Sequence, residues 1–459
     1  MTIVRRPSKI TRSCPTPGSG SFWDNICPSK ETFLKTESAR IALEGHFSNL
    51  QAESNARRER REQFQQSMYA SGVDSTTREE LYQQFTDEED RITRLSRCRL
   101  KEDRFEKIKL IGRGGFGEIW LVQDHITHEL FALKILSKAD IILKDQIINV
   151  RTERDILSNS DNNWIVELHA SFQDEHKLYL VLEYVPGGDL MTALIRNKIF
   201  PEQTARFFAG EISLALHSIH QMNILHRDLK PDNILITESG HIKLADFGLS
   251  SFYEKVDNGL QAILDEIQET LLQQVHLKRM PSEVRHTRRN AVGTCDYTAP
   301  EILLDQTPTS ACDFWSLGVI LFEMLFGYPP FTKKSAQETA FRIVHFDKSL
   351  RYPQNLVVSA NAIDLMNHLL CNKEQRFGFE EIKNHPFFNG FDFDNPNANQ
   401  PPLIPVLTYP TDTSHFDEIT DSLPTTTTEV ADGELARCAF LGFSYKQKPR
   451  NNTLAKFVF

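Results

Sequence analysis

Cysteine is scarce and scattered: seven in 459 residues, with no Cys-x-x-Cys pair and no histidine pair at zinc spacing. That excludes a disulfide framework and a structural zinc, and it points to a reducing compartment. No apolar run approaches the roughly 18 residues of a membrane span. Positive charge is short overall, and a net charge of −10 gives no support to nucleic-acid binding by the whole molecule. The basic, Ser- and Pro-rich start has no apolar core of the kind a secretory signal needs. These absences lead us to expect a cytoplasmic globular protein without a membrane span. An apolar content of 40% and a charged content of 25% are ordinary for such a chain, and its length allows two or three domain-sized units.

The densest chemistry lies at His226-Arg227-Asp228-Leu229-Lys230-Pro231-Asp232-Asn233, just ahead of Asp246-Phe247-Gly248. An acid, a cation and an amide this close suit the joint holding of a hydroxyl, a metal and a phosphate. Upstream runs Ile111-Gly112-Arg113-Gly114-Gly115-Phe116-Gly117-Glu118-Ile119. Gly112, Gly114 and Gly117 fit GxGxxG, where backbone amides approach phosphate oxygens that a side chain would keep away. Dinucleotide-binding folds share this pattern but go directly into a helix. Here Glu118–Gln123 reads as a second strand, and no acidic ribose ligand follows at the right distance, so an oxidoreductase is set aside. A third strand, Phe131–Leu136, carries Lys134. A lysine in an apolar strand is costly without anionic partners. Nucleotide phosphates and Glu153, in the helical stretch Val150–Leu157, are the candidates. The strand Tyr179–Tyr184 and the turn Pro186-Gly187-Gly188-Asp189 place Leu182 beside a base, with Glu183 and Val185 offering backbone hydrogen bonds. Thr204–His220 is an amphipathic helix, with Phe208, Ile212, Leu216 and Ile219 at helical steps.

Glycine loop, Lys134, the 226–233 loop and Asp246-Phe247-Gly248 come in the order found in protein kinases, which the chain resembles. The resemblance implies an α+β, bilobal fold, with a small β-rich lobe and a large helical lobe, using ATP and Mg2+. Ile111, Gly112, Gly114, Gly115, Phe116, Gly117, Ile119, Lys134, Glu183 and Val185 then surround the nucleotide. Asp246 and Asn233 are the metal ligands, oxygen donors suited to a hard cation. Asp228 orients the substrate hydroxyl and takes its proton. Lys230 neutralises the moving phosphoryl, and lysine there resembles Ser/Thr kinases. Lys134 and Glu153 complete the catalytic set. Arg227 is expected to pair with an anion in the activation segment. Gly293 to Glu301 matches the substrate-site loop and contains Thr294, while Asp313 opens a buried helix and Arg376 pairs with Glu301. A nucleotide-binding pseudokinase scaffold is the alternative. The presence of Lys134, Glu153, Asp228, Asn233 and Asp246 argues against it.

Beyond these motifs, residues 40–446 resemble the NDR/LATS family of AGC kinases, the group that includes the fungal mitotic-exit and septation kinases. Residues 1–30 are expected to be a disordered leader, with Phe22 and Trp23 a short docking motif at most. Residues 31–98 are expected to be helical, with Ile41, Leu43, Phe47 and Leu50 in a weak stripe and Phe64 and Met68 four apart. Ser75 or Thr76 caps a second helix carrying Leu81, Phe85, Ile92 and Leu95. These helices hold too little apolar surface to fold alone. In the family this region binds a Mob-type coactivator, a role that Arg57, Arg58, Arg60 and Arg61 inherit as an expectation. The kinase domain runs over 105–388 and holds an insert at 250–290. There Leu260, Ile263, Leu264, Ile267, Leu271 and Val275 form a helical stripe followed by a basic run at 278–289. The resemblance implies that such an insert is autoinhibitory. Residues 389–459 resemble the AGC extension, with Pro401–Pro405 and Asp412–Asp417 wrapping the small lobe. Phe440-Leu441-Gly442-Phe443-Ser444-Tyr445 resembles the hydrophobic motif, with Ser444 its phosphosite.

Two positions depart from the family pattern. Asn290 stands where a phosphorylatable serine is usual, so Thr287 substitutes for it or the loop holds without phosphate. Cys295 stands where proline is usual. Asp189, Asp232 and Glu323 match positions that contact basic residues upstream of the target, which implies preference for Arg about three residues before Ser/Thr. The family further implies protein substrates, a Ste20-like upstream kinase and signalling in cell division or morphogenesis, with nuclear, spindle-pole or cortical association left open.

Overall fold

The computed structural model describes residues 29–72, 74–114, 117–252, 260–276, 295–353, 358–419 and 434–447. Gly115, Phe116, Thr287, Asn290, Thr294, the basic run and the leader motif lie outside them. Two helices come first. In α1 (Lys30–Ala70), Ser29 is the N-cap, accepting from the Thr32 amide. For α2 (Ser75–Arg97) the cap is Asp74 rather than Ser75 or Thr76, because its carboxylate accepts from the amides of both Thr76 and Thr77 at 3.0 Å. The helices meet through Phe64, Met68 and Phe85, with the two phenyl rings stacked at 4.3 Å. Arg60 grips Glu89 through two hydrogen bonds of 2.9 and 3.0 Å, and Arg57 bonds to Asp90. Two of the four arginines expected to face an acidic partner are thus occupied by acids of α2. Arg58 is exposed.

The small lobe is an antiparallel sheet of β1 (Phe105–Gly114), β2 (Gly117–Asp124), β3 (Leu130–Ser137), β4 (Leu168–Gln173) and β5 (Lys177–Glu183), joined at its edge by β10 (Tyr445–Lys446). The strand order is β1-β2-β3-β5-β4-β10. Period-two alternation in β5 sends Tyr179 and Val181 to one core and Leu178 and Leu180 to the other, so both faces are covered. Each such leucine contributes about 1.5–3 kcal/mol by leaving water. On one face lie α3 (Lys138–Leu143) and α4 (Ile147–Asn159).

The large lobe is helical: α5 (Leu190–Asn197), α6 (Glu202–Gln221), α8 (Pro300–Leu303), α9 (Ala311–Phe326), α10 (Ala336–Val344), α11 (Phe346–Ser349), α12 (Ala360–Leu369) and α13 (Phe379–Lys383). Short pairs β6 (Ile224–Leu225) with β9 (Ser251–Phe252), and β7 (Ile234–Ile236) with β8 (Ile242–Leu244), frame the 226–233 loop. Phe208, Ile212, Leu216 and Ile219 of α6 are fully buried, and α9 is buried almost from end to end, as a helix apolar on all sides must be. Arg376 pairs with Glu301 at 2.5 and 3.1 Å and also donates to the carbonyls of Ala311 and Cys371. That one guanidinium ties α8 to α9.

The insert forms α7 (Leu260–His276), and the tail contributes α14 (Glu434–Ala439) and β10. The stretches expected to wrap the small lobe sit lower. The Leu403 carbonyl lies against Gly240 of the β7–β8 turn. Asp412 reaches the inter-lobe segment, where its carbonyl accepts from Tyr184 Oη at 2.7 Å. There Gly188, at φ 72°, has no room for a Cβ, which would stand 2.2 Å from the His415 carbonyl. Among the described residues of the tail, 434–447 are the part that reaches the small lobe. Among the described residues no helix is long and apolar enough to cross a membrane.

Candidate active site

The β1–β2 hairpin closes at Gly114 opposite Gly117, so the glycine motif lies at its tip. A Cβ on Gly117 would stand 1.8 Å from the Ile135 carbonyl, whereas Gly114 has nothing within 4 Å. The first glycine lets β2 meet β3; the second leaves open space. Ile119 sits across from both Gly112 and Lys134. Lys134 Nζ reaches Glu153 Oε1 of α4 at 2.7 Å and Asp246 Oδ1 at 3.2 Å. Burial works against the Lys134 ammonium, but the two carboxylates outweigh it and raise its pKa. Lys134 is also the first cause that lowers the pKa of Asp246.

In the inter-lobe segment, the Glu183 amide is occupied by the Glu167 carbonyl at 2.9 Å, so Glu183 has its own carbonyl to offer. Its carboxylate bonds to Lys243 at 2.6 Å, a partner that nothing in the spacing indicated. Val185 is buried beside it.

The 226–233 loop is held from below by Asp313, at the start of α9. Its carboxylate accepts from the amides of His226 and Arg227 at 2.9 and 2.8 Å, and from His220 Nε2 at 2.8 Å. Burial opposes its charge, yet these donors lower its pKa. The only sign of this anchor in the sequence is an acid opening an apolar helix. Arg227 and Asp246 adopt left-handed φ values of 65° and 57°, sparsely populated for side-chain-bearing residues and typical of over-determined sites. Asp228 Oδ2 accepts from Lys230 Nζ at 2.8 Å. Asn233 donates Nδ2 to the Asp228 carbonyl at 2.8 Å, which leaves its amide oxygen available to a cation. The Asn233 carbonyl takes the Ala245 amide at 2.9 Å, bringing Asp246 alongside. A Cβ on Gly248 would come 3.2 Å from Asp246 Oδ1. One anionic oxygen donor, one neutral one and the open space by Gly114 fit a nucleotide with a hard divalent cation. Much of the activation segment expected to supply an anion for Arg227, at 253–259 and 277–294, lies outside the described residues.

Of the three acids expected to select substrate, Asp232 lies close enough to influence the other two. Asp189 caps α5 through the Thr192 amide at 2.7 Å, and burial followed by its neighbour Asp232 raises its pKa. Glu323 accepts from Tyr297 Oη at 2.6 Å. Burial, then Asp232 and Asp296, push its pKa up to about 7.

These lobes and this constellation define a class. The protein kinase domain family matches residues 105–388, and the protein kinase C terminal domain family matches 407–445. Serine/threonine-protein kinase CBK1 of Pneumocystis carinii is 36% identical over 449 residues, covering 91% of this chain and 88% of that protein. Serine/threonine-protein kinase tricornered of Drosophila pseudoobscura pseudoobscura is 36% identical over 440 residues, covering 91% and 95%. Serine/threonine-protein kinase LATS2 of Mus musculus is 37% identical over 445 residues; these cover 91% of this chain but only 42% of that longer relative. The chain belongs to the NDR/LATS family of AGC protein kinases.

Proposed function

We propose that the chain is a serine/threonine protein kinase that transfers the ATP γ-phosphoryl to protein hydroxyls preceded by basic residues. The observation that carries this is the convergence of Lys134, Glu153, Asp228, Lys230, Asn233 and Asp246 across the two lobes. Bound MgATP supplies the transferable group and most of the charge neutralisation. Lys134, fixed by Glu153, would hold the nucleotide phosphates, and Asp246 with Asn233 would hold the metal. Asp228, held by Lys230 and Asn233, aligns the target hydroxyl and accepts its proton. Asp189, Asp232 and Glu323 attract the upstream cation of the substrate.

Regulation follows the two extensions. The exposed Leu43, Phe47 and Leu50 of α1, with Arg58 and Arg61, form the face for a Mob-type coactivator. Arg57 and Arg60 support that face by closing the α1–α2 hairpin. Ser444 is exposed while Phe440 and Phe443 just before it are fully buried, which suits modification of a docked tail by a Ste20-like upstream kinase. Signalling in cell division or morphogenesis is the setting this implies. The test is phosphate transfer from γ-labelled ATP to an Arg-containing peptide. Wild type incorporates label and Asp228→Ala does not; equal incorporation by both removes the assignment.

A further inference from the structure

The three acids of the substrate site stand on separate elements that come together. Asp189 is the N-cap of α5, and α5 packs directly on the single turn Pro231–Asn233 that carries Asp232. Glu323 lies in the last turn of α9, anchored by Tyr297 Oη at 2.6 Å. Burial first, then the charge of Asp232, raises the pKa of both Asp189 and Glu323, so Asp232 serves both sides. The trio therefore offers two adjacent cation sites that share one carboxylate. Two neighbouring arginines, each with a planar fork for a carboxylate, fit it better than one. The chain itself carries such a pair ahead of a hydroxyl. Arginine stands three residues before Ser or Thr at Ser8, Ser282 and Thr453, and only at Ser8 does a second arginine follow the first, in Arg5-Arg6-Pro7-Ser8. Lys9 and Arg12 extend the positive run, and the first acid in the sequence is Asp24. A stretch of one sign thus meets a cleft of the other. Residues 1–28 lie outside the described residues, so the match is between a sequence and a site.

We infer that Ser8 is a substrate of the chain's own active site, with Arg5 and Arg6 received by Asp189, Asp232 and Glu323. This deepens the kinase reading and rests on it. Ser8 Oγ attacks the γ-phosphorus of ATP, and the bond from that phosphorus to the oxygen bridging to the β-phosphorus breaks. ADP leaves, and the hydroxyl proton passes to Asp228. The product carries about −1.5 to −2 charges at Ser8. That charge offsets the adjoining arginines and is repelled by the acids that received them. The modified leader is a poor fit to the cleft it matched before, and it leaves the site clear for other substrates.

The test uses the full chain, dephosphorylated, with MgATP and an Arg-containing peptide in one reaction, and phosphate on the protein is mapped by mass spectrometry. Wild type should phosphorylate both Ser8 and the peptide, and Asp228→Ala neither. Arg5→Ala combined with Arg6→Ala should lower the initial rate at Ser8, divided by the peptide rate of the same sample, by about tenfold or more. A phosphorylated peptide with Ser8 unmodified overturns the inference and leaves the kinase reading standing. Equal phosphate on Ser8 in Asp228→Ala also overturns it, because the phosphate then comes from another enzyme. Phosphate at Ser282 or Thr453 in place of Ser8, or a Ser8 rate that survives the loss of both arginines, overturns the role given to the arginine pair. A wild type that phosphorylates neither Ser8 nor the peptide overturns the kinase reading, and the inference with it.

Discussion

Lowering the pH through neutrality tests the substrate-charge proposal at one side chain. Glu323 is buried beside Asp232 and Asp296 and has a pKa of about 7. A carboxyl is charged above its pKa, so Glu323 is mostly anionic at pH 8 and mostly neutral at pH 6. Its ionised fraction falls about tenfold across that interval. If this charge receives a basic residue of the substrate, kcat/KM for an Arg-containing peptide drops by up to about tenfold from pH 8 to pH 6, relative to a peptide without basic residues. Taking the ratio of the two peptides cancels pH effects common to both, those of the nucleotide included. Glu323→Gln keeps an acceptor for Tyr297 Oη but carries no charge, so its ratio should be flat and low. A flat ratio in wild type, or a step that survives in Glu323→Gln, refutes the reasoning. Stability runs the other way. The folded-state pKa lies above the ordinary 4.5, so this group's contribution is fully present below that value and is lost as pH rises through about 7.

Arg376→Ala leaves Glu301 buried without its partner and should cost about 3–5 kcal/mol, seen as a lower denaturation midpoint. Phe443→Ala empties a fully buried site whose backbone carbonyl holds Ser171 Oγ at 2.7 Å. A loss of about 3–5 kcal/mol releases the tail, read as faster amide exchange at 445–447 with little change in α9. Phe64→Ala removes the ring stacked on Phe85, so protease cleavage near Gly72 should accelerate while the large lobe's melting stays in place.

The catalytic geometry was legible because each of its residues is chemically odd in its setting. Lys134 in an apolar strand demanded anions, and the structure supplies Glu153 and Asp246. Helix α6 announced itself by its period, whereas the pairing of Glu301 with Arg376 came from the resemblance to protein kinases. Less legible were contacts between distant segments whose residue types are ordinary surface types. Arg57 and Arg60 looked like solvent- or partner-facing charges, but they close on Glu89 and Asp90 some thirty residues on. Only its place at the start of an apolar helix hints at Asp313 as the clamp of His226 and Arg227, and nothing in the local pattern marks Arg151 as the hold on the tail. The N-cap at Asp74 was missed by one residue because Ser, Thr and Asp all satisfy the rule, and the carboxylate is the strongest acceptor of the three.

The pairing of β10 with β4 has a cost that appears only when it is undone. Tyr445 and Lys446 lie opposite Ser171 and Ala170, and the Gln447 amide reaches the His169 carbonyl at 2.8 Å. The docked tail is therefore also the rim of the sheet. When it leaves, Leu168–Gln173 becomes a bare edge whose amides and carbonyls can pair with a strand from another molecule. Any event that frees the motif around Ser444 turns a self-contained kinase into one with an adhesive seam. Its loss of activity and its tendency to associate should then rise together.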